Sequence, residues 1–469
     1  MSLLTDLYQV TMSQGYFRAG MHERSAVFHL FFRREPFGGN YAIACGLEPA
    51  LQWLSQFHID STQTSYLARL TGNDGRSLFS TDFLKMLETT PLSLSVDAIP
   101  EGSLVFAHEP MLRVSGPLWQ CQWVETALLN VINFQTLIAT KAARVCAAAK
   151  GDAVLEFGLR RAQGVDGALA ASRAAYVGGC AATSNVEAGL RYGIPVKGTH
   201  AHSWVMSFDS ELEAFEAYAD AMPNNCVFLV DTYDTIQGVR NAIAVGKRLR
   251  ERGSEMVGVR LDSGDLAQLS IDARKLLDES GFEKASIVAS NDLDELEIER
   301  LKQAGATIAV WGVGTNLVTA KDQPALGGVY KLAAIEDDAG TWQPKVKLSE
   351  QEIKTSNPGV LQVRRYRNAE GLLGDVIYSE LIGPPEIEST VDRQPEDLLV
   401  PVLREGQRTD PGPSLAEVRS HALFSLDQLP AKHQKLSGGD PYPVRLEPQL
   451  LEQKQTLIES GRRTAGSNT

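Results

Sequence analysis

The chain has 469 residues, of which 43% are hydrophobic and 22% charged, and these proportions are typical of a soluble globular protein with two to three domains. The net charge of −13 argues against nucleic acid or an anionic membrane as the main partner. It does not exclude a phosphorylated small molecule, because local basic residues or a divalent cation can hold phosphate groups. The five cysteines are odd in number and include no C-x-x-C pair, so we expect neither a zinc ribbon nor a disulfide framework but reduced thiols in the cytoplasm.

The N-terminal region, residues 1–125, is expected to form an α/β domain, because helical and strand patterns are mixed in it. Its first ten residues, MSLLTDLYQV, lack a basic leader followed by an apolar core, so we expect no secretory signal. The apolar run WVETALLNVINFQTLIATKAARVC is interrupted by polar residues, among them Glu125 and Lys141. It is therefore interpreted as a buried helix and not as a membrane span.

The middle of the chain, residues 126–326, alternates short apolar runs with helix-like segments. Six such runs are expected to be strands, at 153–157, 194–197, 226–230, 256–261, 286–290 and 308–313. Strands that alternate with helices indicate parallel βαβ units, hence a barrel or a doubly wound sheet. Because no G-x-G-x-x-G follows the first strand, we favour an irregular TIM-like α/β barrel over a dinucleotide-binding fold.

The C-terminal segment, residues 327–469, is expected to complete the N-terminal domain, so that the two together form a second α/β domain. Its first part alternates like a β-hairpin around Asp338 and Gly340. Its last part, DPYPVRLEPQLL at 440–451, is compatible with a terminal strand followed by a helix.

Each predicted strand of the middle region runs into a polar or glycine-rich loop, which predicts one shared pocket at the carboxyl ends of the strands. The strongest motif is GVRLDSGDL at 258–266, where Arg260 ends a strand and Asp262 and Asp265 flank a Ser-Gly turn. A carboxylate there suits a ribose diol or a hydrated Mg²⁺. The alternative is an ordinary helix start, with one Asp as N-cap and one in the first turn.

Three further loops have both a functional and a structural interpretation. Gly314 and Thr315 open a turn whose N–H groups suit phosphate, although ordinary turns look the same. Arg160 and Arg161 follow a strand and can fork onto a phosphate or pyrophosphate, or else form surface ion pairs. Asp231 in LVDTYDT is a candidate substrate ligand by its place, but its acids are too widely spaced for the acidic-pair loop of type I phosphoribosyltransferases.

The stretch VKGTHAHSWVMSF, residues 196–208, carries His200 and His202 one residue apart. Such a pair suits a metal-dependent hydrolase, but that site needs further ligands from later strands. The next histidine is His421, far outside the predicted barrel. A single imidazole acting as acid, base or nucleophile is the interpretation that remains.

Taken together and in order, the motifs resemble the nicotinate phosphoribosyltransferase family. The resemblance runs from residue 5 to about 360 and rests on nine segments: TDLYQVTMSQGYF, FFRREPFGGNYAIACGL, EFGLRRAQG, GGCAATSNVEAG, GTHAHSWVMSF, LVDTYDT, GVRLDSGDL, WGVGTNLVT and PKVKLSEQEIKTSNPG. Each segment is modest alone, but nine in the same order are very specific. The resemblance implies a type II phosphoribosyltransferase-like barrel.

The activity that the resemblance implies is transfer of the 5-phosphoribosyl group of phosphoribosyl pyrophosphate (PRPP) to nicotinate, giving nicotinate mononucleotide and pyrophosphate in NAD salvage. A related enzyme for nicotinamide or another pyridine base is the alternative. In the family, ATP hydrolysis is coupled to synthesis through a phosphorylated histidine, which the G-T-x-A-H-S pattern identifies as His202. His200 occupies the variable position, so we expect it to lie at the edge of the pocket and to tolerate replacement.

The resemblance also implies roles for other residues. Nicotinate contacts map onto Tyr8, Thr199 and Arg260, the PRPP phosphate onto Gly314 and Thr315, and the ribose hydroxyls onto Asp262. Mg²⁺ or Mn²⁺ and cationic groups, with Arg160 and Arg161 as candidates, are expected at the leaving pyrophosphate. We expect no direct chelation of the metal by protein, with Asp265 reaching it only through water. Ser184 stands where the related nicotinamide enzyme carries an Asp, which suggests a role in selecting the base.

Family members are homodimers whose active sites lie at the subunit interface. An N-terminal aromatic residue of one subunit reaches across to the other, and Tyr16 or Phe17 is the candidate here.

Overall fold

The protein is described from a computed structural model that covers residues 1–349, 351–385 and 394–466. The chain divides into two compact units, which we call unit 1 (residues 1–137 and 325–469) and unit 2 (residues 138–324). The domain limits expected from the sequence were 125/126 and 326/327. Residue 350 of the segment 344–359, and parts of the C-terminal segment 327–469, lie outside the described residues.

The N-terminal part of unit 1 contains five helices and five strands, followed by a helix in which the division between the units falls. They are α1 (Leu7–Arg18), β1 (Ser25–Phe31), β2 (Ala42–Ile43), α2 (Leu47–Ser55), α3 (Ser61–Ala68), α4 (Thr81–Thr89), β3 (Ser95–Ala98), β4 (Leu104–Val105), β5 (Leu112–Pro117), α5 (Leu118–Trp123) and α6 (Glu125–Ala149). The apolar run interpreted as a buried helix is thus a helix over most of its length. In the described part of the chain, no helix is long and apolar enough to cross a membrane.

Unit 2 alternates strands and helices along its whole length. Its elements are β6 (Ala153–Glu156), α7 (Val165–Val177), β7 (Ala182–Thr183), α8 (Val186–Tyr192), α9 (His202–Val205), α10 (Glu211–Ala221), β8 (Val227–Leu229), α11 (Thr235–Glu251), β9 (Gly258–Leu261), α12 (Leu266–Glu279), β10 (Ser286–Ala289), α13 (Glu295–Gln303), β11 (Val310–Val313) and α14 (Thr315–Val318).

The six strands of unit 2 form a parallel sheet in the order β7-β6-β11-β10-β9-β8. Burial and helix capping explain the alternation. The strands are short runs rich in buried Val, Leu and Ile, and Asp234, Asp265 and Asp294 cap the helices that follow them by accepting backbone N–H groups. The α/β fold with a parallel sheet that the sequence predicted is confirmed.

One predicted strand is wrong, and one strand was missed. The run at 194–197 forms only a single bridge, between Val196 and Thr183 of β7, flanked by hydrogen bonds from Thr183 N to Pro195 O and from Lys197 N to Thr183 O. Pro195 has no N–H with which to extend the ladder. The two-residue strand β7 was missed because it is too short to show a periodic pattern.

The C-terminal part of unit 1 is largely strands. Its elements are β12 (Val329–Glu336), β13 (Trp342–Pro344), β14 (Leu361–Asn368), β15 (Gly371–Ser379), β16 (Gln394–Asp397), β17 (Val400–Arg404), β18 (Gln407–Arg408), α15 (Leu415–Asp427), β19 (Val444–Leu446) and α16 (Pro448–Gly466). The hairpin predicted around Asp338 and Gly340 is confirmed as β12 and β13. The terminal strand and helix are present as β19 and α16.

Strands from both ends of the chain pair within unit 1. A seven-stranded sheet has the order β13-β12-β1-β5-β3-β17-β18, and a four-stranded sheet has the order β16-β14-β15-β19. Strand β1 is buried over almost its whole length and pairs antiparallel with both β5 and β12. Helices α1, α3, α4 and α5 enclose a second apolar core around Phe83, Trp119 and Trp123.

Candidate active site

A pocket of about 240 Å³ opens at the carboxyl ends of the unit 2 strands, where polar loops were expected to converge. Eight of the residues singled out from the sequence line it: Arg160, Arg161, Ser184, Thr199, Arg260, Asp262, Gly314 and Thr315. The remaining lining residues are Phe157, Gly198, Ser290, Asn291, Asp292 and Gly312. The loops after β6, β7, β9, β10 and β11 therefore meet in one place.

Arg260 is the cation of the pocket whose guanidinium three side chains hold in place. Its Nε donates to Ser290 Oγ at 2.9 Å, its Nη1 to Thr199 Oγ1 at 3.0 Å and its Nη2 to Asp262 Oδ1 at 2.8 Å. The guanidinium also lies over the ring of Phe157, 5.8 Å from the centroid. Only 13% of the side chain is exposed, so the charge has a fixed position and direction.

Asp262 stays ionised in this setting. Partial burial alone would raise the pKa of its carboxyl group, but the hydrogen bond from Ser290 and the adjacent charge of Arg260 outweigh burial and lower the pKa. Oδ1 accepts hydrogen bonds from both residues. Oδ2 points towards His202, whose Nε2 lies 3.7 Å away.

Asp231 does not line the pocket, contrary to its expected role as a substrate ligand. Its carboxylate is 1% exposed and supports the loop after β9, since Oδ2 accepts from Asp262 N at 2.8 Å and from Ser263 Oγ at 2.6 Å. Oδ1 is buried without a hydrogen-bond partner among the described residues and lies 4.0 Å from His202 Nε2. Asp231 thus acts on the pocket through its neighbours.

His202 begins α9 and lies beside both carboxylates. Its Nδ1 is 3.1 Å from Thr232 Oγ1, and 40% of its side chain is exposed. With the ring proton on Nδ1, Nδ1–H donates a hydrogen bond to Thr232 Oγ1, and Nε2 presents a lone pair near Asp231 and Asp262. This arrangement supplies a nucleophilic nitrogen whose developing positive charge two carboxylates would stabilise.

His200 is not a residue at the edge of the pocket, so that interpretation of the sequence is wrong. It is 7% exposed, and its Nε2 accepts a hydrogen bond from Leu229 N at 3.2 Å. Its ring packs among Phe215, Tyr218 and Phe228. Alternation along the extended segment turns His200 into the core and its neighbour Thr199 to the pocket. His202 lies beyond this segment, because it begins helix α9, and its ring lies beside Asp262 of the pocket.

Two unpaired arginines stand at the rim of the pocket. Arg160 and Arg161 lie on a short 3₁₀ turn after β6, are exposed, and form no ion pair with any residue in the described ranges. The surface ion pair that was the alternative for them is therefore absent from this part of the structure. Gly314 and Thr315 line the same pocket, where Gly314 precedes α14 and Thr315 begins it. A cationic rim beside a glycine turn suits a phosphate group.

Glu156 is a buried residue that sequence reasoning missed. Its Oε2 accepts from Ser172 Oγ at 2.8 Å and from Thr183 Oγ1 at 2.5 Å, and Oε1 accepts from the backbone N of Gly158. Its backbone O accepts from Ser184 N at 2.9 Å. The signal that could have revealed it is an acid in an otherwise apolar strand, since a buried charge needs several partners.

A strained turn after β10 was also missed. Asn291 and Asp292 line the pocket with φ angles of 105° and 42°, in the left-handed region that non-glycine residues seldom adopt. The buried Asn316 holds this turn, because its Nδ2 donates to Asp292 O at 2.7 Å and to Leu293 O at 3.2 Å. Backbone strain of this kind is frequent at functional sites.

The remaining candidates occupy other places. Asp265 caps α12, because its side chain accepts hydrogen bonds from Ala267 N and Gln268 N. This is the ordinary helix start that was the alternative interpretation of the motif. Tyr8 lies on α1 in unit 1 with 48% of its surface exposed, and burial of its hydroxyl together with the nearby Glu125 raises its pKa to about 12. Phe17 packs against Phe83 of its own unit, with ring centroids 5.9 Å apart.

Fold and pocket together define a class of protein. It is an α/β protein whose parallel sheet carries three arginines and a carboxylate around a cavity at its carboxyl edge, with an imidazole beside that carboxylate. Such a cavity suits a small anionic, hydroxyl-bearing ligand.

Comparison with known proteins identifies the family. Three family models match the chain: the nicotinate phosphoribosyltransferase N-terminal domain at residues 3–133, the nicotinate phosphoribosyltransferase family at residues 153–369, and its C-terminal domain at residues 384–454. The nicotinate phosphoribosyltransferase of Bacillus subtilis is 42% identical over 475 residues, which cover 98% of this chain and 95% of the relative. The chain belongs to the nicotinate phosphoribosyltransferase family.

Solved structures agree with this assignment. The crystal structure of human nicotinic acid phosphoribosyltransferase matches with a TM-score of 0.84 and 35% identity, covering 97% of this chain and 100% of the human one. A nicotinate-nucleotide pyrophosphorylase from Pyrococcus furiosus matches with a TM-score of 0.71 at 20% identity, over 91% of this chain and 95% of that one. The latter shows the shared fold alone.

Proposed function

We propose that this member of the family transfers the 5-phosphoribosyl group of PRPP to nicotinate and couples that transfer to ATP hydrolysis through a phosphohistidine at His202. The observation that carries the proposal is the placement of the His202 imidazole beside Asp231 and Asp262, at the pocket fixed by Arg260. The products are nicotinate mononucleotide, pyrophosphate, ADP and phosphate, and the pathway is salvage of nicotinate for NAD.

The phosphoryl step uses the lone pair of His202 Nε2. Nε2 forms a bond to the γ-phosphorus of ATP while the bond from that phosphorus to the bridging oxygen breaks and ADP leaves. Because Nδ1 keeps its proton towards Thr232 Oγ1, the ring gains positive charge, and the carboxylates of Asp231 and Asp262 stabilise it. Water later attacks the phosphorus, and phosphate leaves while the imidazole returns to its neutral form.

The transfer step uses the rest of the pocket. The N–H groups of Arg260 that are not bonded to Ser290, Thr199 or Asp262 can bind the nicotinate carboxylate, and Tyr8 is the proposed aromatic contact to the pyridine ring. Asp262 would accept the ribose hydroxyls, and Gly314 and Thr315 would hold the 5-phosphate. The pyridine nitrogen then bonds to C1 of the ribose as the bond from C1 to the pyrophosphate oxygen breaks.

Arg160 and Arg161 are proposed to bind the leaving pyrophosphate, because they are the unpaired cations of the pocket rim. Mg²⁺ or Mn²⁺, when bound, would neutralise further charge on this leaving group. The metal would be held mainly by substrate, and the exposed Asp265 would accept hydrogen bonds from its water ligands.

The first experiment compares bases and nucleotides. Purified protein is incubated with PRPP and nicotinate, nicotinamide or quinolinate, with and without ATP, and mononucleotide and ADP are quantified by chromatography. We expect turnover with nicotinate and stimulation by ATP. Turnover of nicotinamide in preference to nicotinate would support the alternative pyridine phosphoribosyltransferase and contradict the proposal.

His202→Ala tests the phosphohistidine. We expect it to abolish ATP hydrolysis and stimulation by ATP while weak ATP-independent transfer remains, because Arg260 and Asp262 are unchanged. His58→Ala, which alters an exposed histidine of unit 1, is the matched control and should behave like the parent protein. Undiminished ATP hydrolysis by the His202 variant would refute the assignment.

We also propose a cytoplasmic homodimer whose active site lies at the subunit interface, with an N-terminal aromatic residue supplied by the partner. Tyr16 is the better candidate for that role, since Phe17 is already packed against Phe83. Sedimentation velocity of the protein and of Tyr16→Ala measures the assembly, and a monomer with full activity would contradict it.

A further inference from the structure

At one edge of the unit 2 sheet, the outward-facing backbone groups of a strand have no neighbouring strand among the described residues with which to form hydrogen bonds. Strand β8 is the last in the strand order and, in the described part of the chain, pairs with β9 alone. Val230 N donates to Arg260 O of β9, so the alternating N–H of Leu229 faces the other way. Leu229 is almost completely buried, and water cannot readily satisfy this donor.

The acceptor for that N–H is a side chain. His200 Nε2 lies 3.2 Å from Leu229 N, in the place where the carbonyl of a neighbouring strand would otherwise be. At the other edge of the sheet, the segment that leads to His200 is bridged to β7 through Val196. Residues 196–200 therefore run from the β7 edge of the sheet to the β8 edge, and one imidazole makes the final link.

The surroundings keep this imidazole in its neutral form. The pKa of His200 is lowered to about 4, chiefly by burial among the rings of Phe215, Tyr218 and Phe228. The carbonyl of Ala201 acts in the opposite direction, and the charges of Arg260 and His202 contribute to the lowering. Nδ1 lies 3.5 Å from Ala201 O, which favours the tautomer with its proton on Nδ1. Nε2 then has a lone pair to accept from Leu229.

Thr199, directly before His200, lines the pocket, and His202, two residues after His200, lies beside the pocket residue Asp262. Thr199 Oγ1 donates to His200 O and accepts from Arg260 Nη1. His202, two residues further on, begins the short helix α9 and contacts Thr232 in the loop after β8. One loop thus carries both residues, and the anchor at His200 lies between the contact of Thr199 with Arg260 and the contact of His202 with Thr232.

We infer that His200 is a positioning residue, which takes the place of a missing strand at the β8 edge and thereby fixes Thr199 at the pocket and His202 beside Asp262. The inference about the edge stands on the structure alone, and its consequence for catalysis rests on the proposed function. It predicts that the acceptor atom at the Nε2 position matters more than the ring itself.

Three variants distinguish the hydrogen-bond acceptor at the Nε2 position of His200 from the packing of its ring. His200→Gln can place its amide oxygen near the Nε2 position, His200→Asn is too short to do so, and His200→Phe fills the aromatic site without an acceptor. His58→Ala is again the surface control. Hydrogen–deuterium exchange of a peptide containing Leu229 reports the anchor without substrate, and steady-state kinetics report the pocket.

We expect His200→Asn and His200→Phe to raise exchange at Leu229 about tenfold and the nicotinate KM about tenfold, with ATP-independent kcat within about twofold of the parent. His200→Gln should remain within about threefold of the parent in both measurements. Parent-like exchange in both His200→Asn and His200→Phe would overturn the inference. Failure of the proposed function gives a different result. The parent protein would then lack turnover, while exchange at Leu229 would still be faster in His200→Asn and His200→Phe than in His200→Gln.

Discussion

The change Asp231→Asn isolates the electrostatic support of His202. Asn keeps one oxygen for the hydrogen bonds from Asp262 N and Ser263 Oγ, so the loop after β9 should keep its position. The atom 4.0 Å from His202 Nε2 changes from a charged oxygen without a hydrogen-bond partner among the described residues to a neutral NH₂ group. The variant therefore removes the negative charge beside the His202 imidazole with little other change.

The size of the expected effect on phosphorylation follows from the distance between Asp231 Oδ1 and His202 Nε2. Two unit charges 4.0 Å apart interact by about 4 kcal/mol at an effective dielectric constant of about 20 and by about 1 kcal/mol in bulk water. Because the His202 side chain is 40% exposed, we take the lower part of this range, about 1–2 kcal/mol. Loss of that interaction in the transition state slows phosphorylation of His202 by about 5- to 30-fold.

The assay is single-turnover phosphorylation with γ-labelled ATP, quenched in base because phosphohistidine is labile in acid. We expect the Asp231→Asn variant to form the phosphoenzyme 5- to 30-fold more slowly by the estimate of about 1–2 kcal/mol, with ATP-independent transfer within about threefold of the parent. Asp209→Asn, an exposed acid of the same unit, is the matched control. An unchanged rate of phosphorylation would refute the electrostatic role of Asp231.

Three further changes probe the pocket. Arg260→Lys should raise the nicotinate KM about 10- to 100-fold, because a point charge cannot reproduce the bonds to three side chains; a KM within about twofold of the parent would contradict this. Ser184→Asp should raise the nicotinate KM selectively by repelling the carboxylate, and an unchanged ratio of nicotinate to nicotinamide KM would disprove it. Ser290→Ala removes a hydrogen bond that lowers the pKa of Asp262. A lowered carboxyl pKa stabilises the folded state above the ordinary value of 3.8, and the stabilisation is lost as the pH falls through the folded-state pKa. Urea unfolding should therefore show a deficit at neutral pH that shrinks below pH 3.8, and a deficit independent of pH would argue against this origin.

The placement of Asp231 shows how an expected ligand can act indirectly. Its position after β8 predicted a place at the carboxyl edge of the sheet, and the structure puts it there. The side chain turns under the loop after β9, however, because the backbone N of Asp262 and the hydroxyl of Ser263 offer it two donors. The sequence pattern at the end of one strand carries no information about the hydrogen-bond donors that the loop after a neighbouring strand supplies.

Much of the molecule follows from the sequence by itself. Alternating apolar runs and helical segments determined the parallel α/β fold of unit 2, since each strand and helix is specified by its own local pattern. The order of motifs indicated the family, and the polar loops marked the edge at which Arg260, Asp262 and Thr199 meet.

What only the tertiary structure decided concerns residues whose partners are distant in sequence. His200 and His202 look alike in the chain, but Leu229, 29 positions away, draws the first into the core, while Thr232 and two carboxylates keep the second at the pocket. Ser290 joins Arg260 to Asp262 only because β10 pairs with β9. Hydrogen bonds of this kind depend on which strands become neighbours, and no local pattern contains that information.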